Sequence, residues 1–111
     1  MAVQRILQQV GPLPITASFS AVGDSQMYLE VNGSVWSQTA NVMIGIAIAI
    51  DGKPVGNAQI FSNGTATHRA VVPAYIPIQL SQGSHTLTLS AMSGSQTVSD
   101  FNDLFTAVIH Y

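Results

Sequence analysis

The stretch that decides the fold is Val42–Ile50, which reads VMIGIAIAI. Its bulky and small residues alternate with the period of a β-strand, in which successive side chains point to opposite faces. Because almost every residue is apolar, the pattern predicts a strand covered on both faces, one by an opposite sheet and one by a neighbouring subunit. We expect the bulky face to enter the core. The small face (Gly45, Ala47 and Ala49) would allow another backbone to approach closely.

The segments on either side of this strand repeat a pattern of short strand and turn. Asp51–Pro54 is a turn signal that predicts a hairpin with the strand returning next to it. Asn32-Gly33 and Asn63-Gly64 predict further tight turns, and Gly23-Asp24 predicts a break. The predicted strands are 15–20, 27–31, 42–50, 55–61, 65–72, 74–80, 85–91 and 104–111, of which 74–80 is confined by Pro73 and Pro77 to a sheet edge or an irregular path.

About eight short strands with turn signals every 8–12 residues or so predict an all-β fold, an antiparallel β-sandwich or jelly roll. Residues 1–111 are expected to form one jelly-roll domain. Residues 1–12 form its N-terminal arm. Val3, Ile6, Leu7 and Val10 have helical spacing, but a helix this short is marginal in water, so a short helix and an extended first strand remain equal alternatives.

The charged fraction of the chain is unusually low, 7% against about 25% in typical soluble domains. Three scattered basic residues (Arg5, Lys53 and Arg69) cannot neutralise a run of phosphates, which excludes nucleic acid as an expected partner. The same scarcity argues against a polybasic membrane anchor. No apolar stretch is long enough to cross a bilayer as a helix, so we expect no membrane insertion.

The chain contains no cysteine, which excludes disulfides, thiolate metal sites and cysteine nucleophiles. The first ten residues lack the apolar core of a signal peptide. The compartment is therefore left unknown; we expect the extracellular space, a cell surface or a virion, and a protein that acts there without a signal peptide leaves by a non-classical route. The surface polarity comes from Ser, Thr, Asn and Gln, and with a net charge of −2 a closed oligomer is one way to control association. The alternative is a small sandwich that merely has few charges.

The second half of the chain resembles the trimeric jelly-roll domains of the tumour necrosis factor and C1q type, including their bacterial and phage relatives. The similar segments are the hairpin 50–56, the strand–turn–strand segment 78–89 and the closing segment 105–111. This resemblance implies a homotrimer whose closing strand lies near the trimer axis. The absence of cysteines and of a collagen stalk departs from the eukaryotic members and argues against a cytokine role.

Catalytic constellations are weak in this sequence. His68, His85 and His110 are candidate bases, but no Gly-x-Ser-x-Gly elbow accompanies them, so a small hydrolase is only a distant alternative. Asp100 and Asp103 lie close together in a polar loop and could act as paired carboxylates or as oxygen ligands of calcium. The favoured interpretation is that their side chains cap backbone turns. We expect no cofactor.

Glycan binding needs an aromatic face for the C–H surface of a sugar and planar polar groups for its hydroxyls. Trp36, Arg69 and Tyr75 are the candidate ligand-binding residues, combined in a site shared between subunits, although a core or interface role for Trp36 is the simpler interpretation. The sequence therefore predicts a non-enzymatic recognition head, a glycan- or receptor-binding module of a phage fibre or of a bacterial surface or secreted assembly. The alternative is a purely structural trimeric subunit.

Overall fold

A computed structural model describes residues 2–23 and 26–111. Asp24, which belongs to the predicted break at Gly23-Asp24, lies outside the described residues. The described chain is all-β and contains no helix. Its strands are β1 (Val3–Val10), β2 (Ile15–Ala21), β3 (Gln26–Val35), β4 (Val42–Ile50), β5 (Lys53–Ser62), β6 (Arg69–Ala70), β7 (Ala74–Gln79), β8 (Gly83–Ala91) and β9 (Leu104–His110).

Two antiparallel sheets pack face to face, which confirms the predicted sandwich. The first sheet has the order β1-β9-β3, and β3 pairs on its other side with β7 along one half and with β6 at its end. The second sheet has the order β2-β8-β4-β5. Neighbours such as β3 and β9 are far apart in sequence, so closing the sandwich depends on long-range pairing.

The core lies between the sheets and is built by alternation along each strand. In β4 the bulky face is buried as predicted, and in β9 the residues Phe105, Ala107 and Ile109 are buried. β3 contributes every second residue from Met27 to Val31, and Val35. Burial of this kind is worth about 1.5–3 kcal/mol for each large apolar side chain, and this term holds the two sheets together. The largest buried apolar side chains are Phe105, Met27, Leu29, Ile44, Ile46, Ile48, Leu87, Leu89, Ile109, Val31 and Val35.

Of the two conformations expected for the N-terminal arm, the structure has the extended strand and not the helix. β1 pairs with β9 from Val3 to Val10 with one bulge. The small face of β4 is closed at Gly45 by the protein's own chain. A Cβ atom at Gly45 would lie 2.5 Å from the carbonyl oxygen of Ala58. Ala47 and Ala49 are only half-buried. Covering of this face by a neighbouring subunit stays a prediction.

Two segments differ from the sequence prediction. Asn32-Gly33 does not form a turn, because both residues lie inside β3 and pair with Thr106 and Phe105 of β9. Gly33 serves packing instead: a Cβ there would lie 2.4 Å from the ring of Phe105. The predicted strand 65–72 shrinks to β6, because residues 63–68 form a loop in which Ala66 has a φ of 54°. β7 pairs only with β3 among the described strands, as expected of an edge strand with prolines.

No helix long and apolar enough to cross a membrane occurs in the part of the chain that the structure describes.

Candidate functional site

The outward side of β3 carries polar and aromatic residues at every second position. The strand buries Met27, Leu29 and Val31, so alternation turns Tyr28, Glu30 and Asn32 away from the core. β9 and β7 lie on either side of β3 and contribute the flanking side chains. The exposed face of the first sheet therefore has an uncovered row of hydrogen-bonding and aromatic groups along its central strand.

Glu30 is the centre of a hydrogen-bond network on this face. Its Oε1 accepts from Nε2 of His110 at 2.8 Å, and its Oε2 accepts from Nδ2 of Asn32 at 3.1 Å. Tyr75 lies directly opposite Glu30 in the β3–β7 register, and this carboxylate raises the pKa of Tyr75. The His110 hydrogen bond is the main cause that lowers the pKa of Glu30, and the bonds from Asn32 and Tyr75 act in the same direction. The network holds Glu30 ionised and fixes the side chains of Asn32 and His110 beside it.

Two tyrosines stand beside this network with their rings accessible. Tyr75 is 63% exposed and Tyr28 is 47% exposed. Tyr75 lies opposite Glu30 in the β3–β7 register and Tyr28 lies opposite Pro77, so the two tyrosines are diagonal neighbours, about 7–8 Å apart at the backbone. The neighbouring Glu30 carboxylate is the main cause that raises the pKa of Tyr75. We call Tyr28, Glu30, Asn32, Tyr75 and His110 the tyrosine face.

The tyrosine face combines the groups that recognise a polyhydroxylated molecule. An aromatic ring has an electron-rich face that attracts C–H groups, and a tyrosine loses little rotamer freedom on binding. Asn32 and His110 each have a further hydrogen-bonding atom beyond the one that holds Glu30. Binding would require little rearrangement, because the polar groups are already held in place.

The same face becomes apolar toward its other end. Val10 and Leu104 are directly paired between β1 and β9, and both are exposed. Leu104 is 45% exposed. Since β1 is the edge of the first sheet, this apolar pair lies next to backbone groups that no described strand covers.

A second polar cluster lies where β9 begins, around Asp103. This side chain is fully buried. Its Oδ1 accepts hydrogen bonds from Oγ of Ser34 at 2.7 Å and from Nδ1 of His68 at 2.6 Å, and its Oδ2 accepts from the backbone N–H of Asp100 at 2.9 Å. We call Ser34, His68, Asp100 and Asp103 the Asp103 cluster. The Asp103 hydrogen bond is the main cause that raises the pKa of His68.

Trp36 borders the Asp103 cluster. Its ring centroid lies 5.8 Å from that of His68, and its backbone pairs with Val98 in an isolated bridge. The indole Nε1 is buried and has no hydrogen-bond partner among the described residues. Trp36 therefore packs as a half-buried wall of the cluster.

The donor atoms of the Asp103 cluster are close enough to be considered as metal ligands. One atom each from His68, Asp100 and Asp103 lie within 4.8 Å of one another. The cluster does not have the geometry of a serine hydrolase triad, because the hydroxyl of Ser34 donates to Asp103 and not to the imidazole. Asp103 supports His68 and the loop at Asp100, which agrees with the turn-capping role expected for these aspartates.

A separate cavity of about 350 Å³ lies at the opposite end of the sandwich, between β5 and β7. Its lining includes Ile50, Asp51, Val55, Ile78 and Leu80. It contains none of the predicted binding residues.

The predicted binding residues occupy two different places within one chain. Trp36 borders the Asp103 cluster. Arg69 pairs with Val35, so the Arg69 side chain lies on the same side of the sheet as that of Val35. Tyr75 lies opposite Glu30, five residues along β3 from Val35, which corresponds to about 16 Å. A site that joins these residues across subunits stays a prediction.

Sequence reasoning missed Glu30 and the roles of His110 and His68. Alternation of Met27, Leu29 and Val31 already turned Glu30 outward. The register that places it beside Tyr75 and His110 comes from strand pairing between distant segments, which no short-range pattern contains.

No protein-family model matches the chain, and no curated protein matches it either. Among solved structures, the exo-β-1,3-galactanase of Phanerochaete chrysosporium with bound β-1,3-galactotriose aligns at a TM-score of 0.51 and 12% identity, over 87% of this chain and 21% of that one. The dimeric latent PorU of Porphyromonas gingivalis aligns at 0.51 and 11% identity, over 87% of this chain and 10% of that one.

A family 35 carbohydrate binding module from an environmental isolate aligns at a TM-score of 0.50 and 9% identity, over 99% of this chain and 88% of that module. The chain thus spans about a fifth and a tenth of the first two proteins but almost the whole of the third. At these identities the likeness is one of fold, and the fold that the chain shares with them is a β-sandwich.

Proposed function

We propose that this protein is a non-enzymatic carbohydrate-binding module and that the tyrosine face is its binding surface. The observation that carries the proposal is Tyr75, which is 63% exposed and lies directly opposite the ionised Glu30 in the β3–β7 register. An exposed aromatic ring in a fixed orientation offers a stacking surface without a large loss of side-chain entropy. The solved module of family 35 supports this function, since its name records carbohydrate binding by a domain of the same fold and similar length.

The charges on this face favour a neutral glycan. Glu30 is ionised and central, and it would repel a carboxylate or sulfate group on the ligand. Arg5 shares this side of the sheet, because Arg5 and Glu30 both pair with Val108, and its positive charge balances the negative charge of Glu30 across the face. The ligand class is therefore a neutral oligosaccharide that stacks on Tyr75 and Tyr28 and hydrogen-bonds to Asn32 and His110.

The test is a glycan array followed by calorimetry with the sugars that bind. Tyr75→Ala should weaken binding at least about tenfold, equivalent to 1.4 kcal/mol, because the stacking surface is lost. The matched control is Phe61→Ala, since Phe61 is 47% exposed on the outward side of the second sheet. Absence of any binding sugar, or equal affinity of wild type and Tyr75→Ala, would overturn the proposal.

A structural trimeric subunit is the second candidate, and the exposed pair Val10 and Leu104 favours it. An apolar pair beside an open sheet edge is the type of surface that a copy of the same chain covers. The resemblance to the tumour necrosis factor and C1q type implies the same assembly. In this candidate the sandwich is a homotrimeric head of a phage fibre or of a bacterial surface or secreted assembly, and the tyrosine face remains open for recognition of a glycan or receptor.

A further inference from the structure

We propose that His68 and Asp100 bind a divalent transition metal of the zinc class, with Asp103 as the buried group that orients His68. This inference does not depend on glycan binding. It concerns the Asp103 cluster, which lies at the start of β9, whereas the tyrosine face lies toward its end. It also replaces the calcium hypothesis for Asp100 and Asp103 with a different ligand set.

The tautomer of His68 is the first step of the argument. Asp103 is a carboxylate that can only accept, so Nδ1 of His68 is the donor in their 2.6 Å contact. In the neutral imidazole, Nε2 then carries the lone pair that a metal ion requires. No described residue hydrogen-bonds to Nε2, and the side chain of His68 is 35% exposed. The free nitrogen is therefore both oriented and accessible.

The rigidity of Asp103 is the second step. Its side chain is fully buried and accepts from three donors, contributed by Ser34, His68 and the backbone of Asp100. Histidines that ligate metals usually donate their other ring N–H to such a carboxylate, which fixes the ring and raises its basicity. Both oxygens of Asp103 are occupied in this way. Asp103 is thus suited to a supporting role and not to direct coordination.

The position of Asp100 supplies the second ligand. Its Oδ2 lies 3.8 Å from Nε2 of His68. Metal–ligand bonds of about 2.0–2.2 Å would bring these two atoms to roughly 3.4 Å in tetrahedral geometry, a closure of a few tenths of an ångström. Asp100 is 38% exposed at a loop, where a shift of this size is accommodated easily. Because both ligands are partly exposed, water would complete the coordination of the metal.

The chemistry of the donor set selects the metal. One imidazole nitrogen and one carboxylate oxygen suit zinc, copper or nickel, whereas calcium takes six to eight oxygens. No lysine or arginine forms an ion pair with Asp100 or Asp103 among the described residues. With His68 neutral, no ion pair with another described side chain offsets the charge of these carboxylates, which favours a cation.

Trp36 makes the site directly observable, because it is the only tryptophan of the chain and its ring lies 5.8 Å from His68. Titration with Cu²⁺ or Ni²⁺ should quench its fluorescence, and added Zn²⁺ should compete and restore it. Ca²⁺ should do neither. His68→Gln should weaken quenching at least about tenfold, and Asp103→Asn, which affects a positioning residue, should weaken it about 10–100-fold.

Asp100→Asn is the second variant, because it retains the oxygen that caps Asn102 and leaves the fold intact. It should weaken quenching like His68→Gln. The matched control is His85→Gln, which removes a histidine at a different place and should leave quenching unchanged. Equal quenching of wild type and both ligand variants would overturn the metal site. Since the titration contains no sugar, its result is separate from that of the glycan array.

Discussion

At the scale of single residues, the hydrogen bonds of His85 fix its charge. Its Nδ1 lies 2.6 Å from Oδ2 of Asp51 and its Nε2 lies 2.7 Å from the carbonyl oxygen of Ser81. Both partners can only accept, so both ring nitrogens must carry protons. The Asp51 hydrogen bond is the main cause that raises the pKa of His85, and the same contact lowers the pKa of Asp51. Phe19 packs against the ring, and Lys53 adds a weaker attraction to Asp51.

The His85–Asp51 pair should stabilise the fold over a limited pH range. His85 stabilises the fold fully below its ordinary pKa of 6.5, and the contribution is lost as pH rises through the raised value. Asp51 contributes above its ordinary pKa of 3.8, and this is lost as pH falls through the lowered value. Asp51→Asn should therefore lower the urea midpoint most between these pH values and little at alkaline pH. A constant difference from pH 4 to pH 9 or so would contradict this.

Among substitutions of the aspartates, we expect replacement of Asp103 to cause the largest loss of stability. Asp103→Ala leaves the donors of Ser34, His68 and Asp100 without an acceptor in a buried position. A buried hydrogen-bonding group without its partner costs about 1–3 kcal/mol, and since these donors are only part-buried we expect the free energy of unfolding to fall by about this amount. Urea denaturation measures it. Asn102→Ala on the same loop is the control and should stay within about 0.5 kcal/mol of wild type.

At the scale of the elements, glycines set how closely strands approach. Gly45→Ala in β4 would place a Cβ atom 2.5 Å from the carbonyl oxygen of Ala58 and 2.9 Å from the Cα of Gln59. Backbone atoms cannot give way as a side chain does, so we expect a loss of about 1–3 kcal/mol in thermal or urea unfolding. Gly23→Ala meets nothing within 4 Å and should be nearly neutral. Equal effects of the two substitutions would show that this packing does not limit stability.

The strands that could be predicted are those whose own alternation decides their burial. Val42–Ile50 is apolar at almost every position, so no competing conformation buries it as well. The turn predicted at Asn32-Gly33 was wrong, because pairing with β9 and packing of Phe105 on Gly33 stabilise the strand more than the local turn preference stabilises a turn. The candidate site shows the same division between what local alternation predicts and what long-range strand pairing decides. Tyr75 could be selected as an exposed aromatic residue, but its contact with Glu30 depends on the β3–β7 register, which forms between segments about 45 residues apart.

At the scale of the whole molecule, the proposed trimer predicts a specific sensitivity to charge. Leu104→Lys places a cation on the apolar pair with Val10 and should convert a species of three times 11.7 kDa into monomers in light scattering. Met43→Lys is the control, because Met43 is 44% exposed on the other sheet and Leu104 is 45% exposed. A wild-type protein that is monomeric at micromolar concentration would exclude the assembly.

The pairing of β1 with β9 also brings the two ends of the described chain together. The backbone N–H of Ala2 donates to the carbonyl of Tyr111 at 2.6 Å, and the N–H of Tyr111 donates back at 2.9 Å. A short peptide could therefore join the ends, and new ends could be opened in the exposed turn at 93–94 without moving a strand. The domain could equally be inserted into a surface loop of a carrier protein, since its two adjacent ends would connect to neighbouring points of that loop.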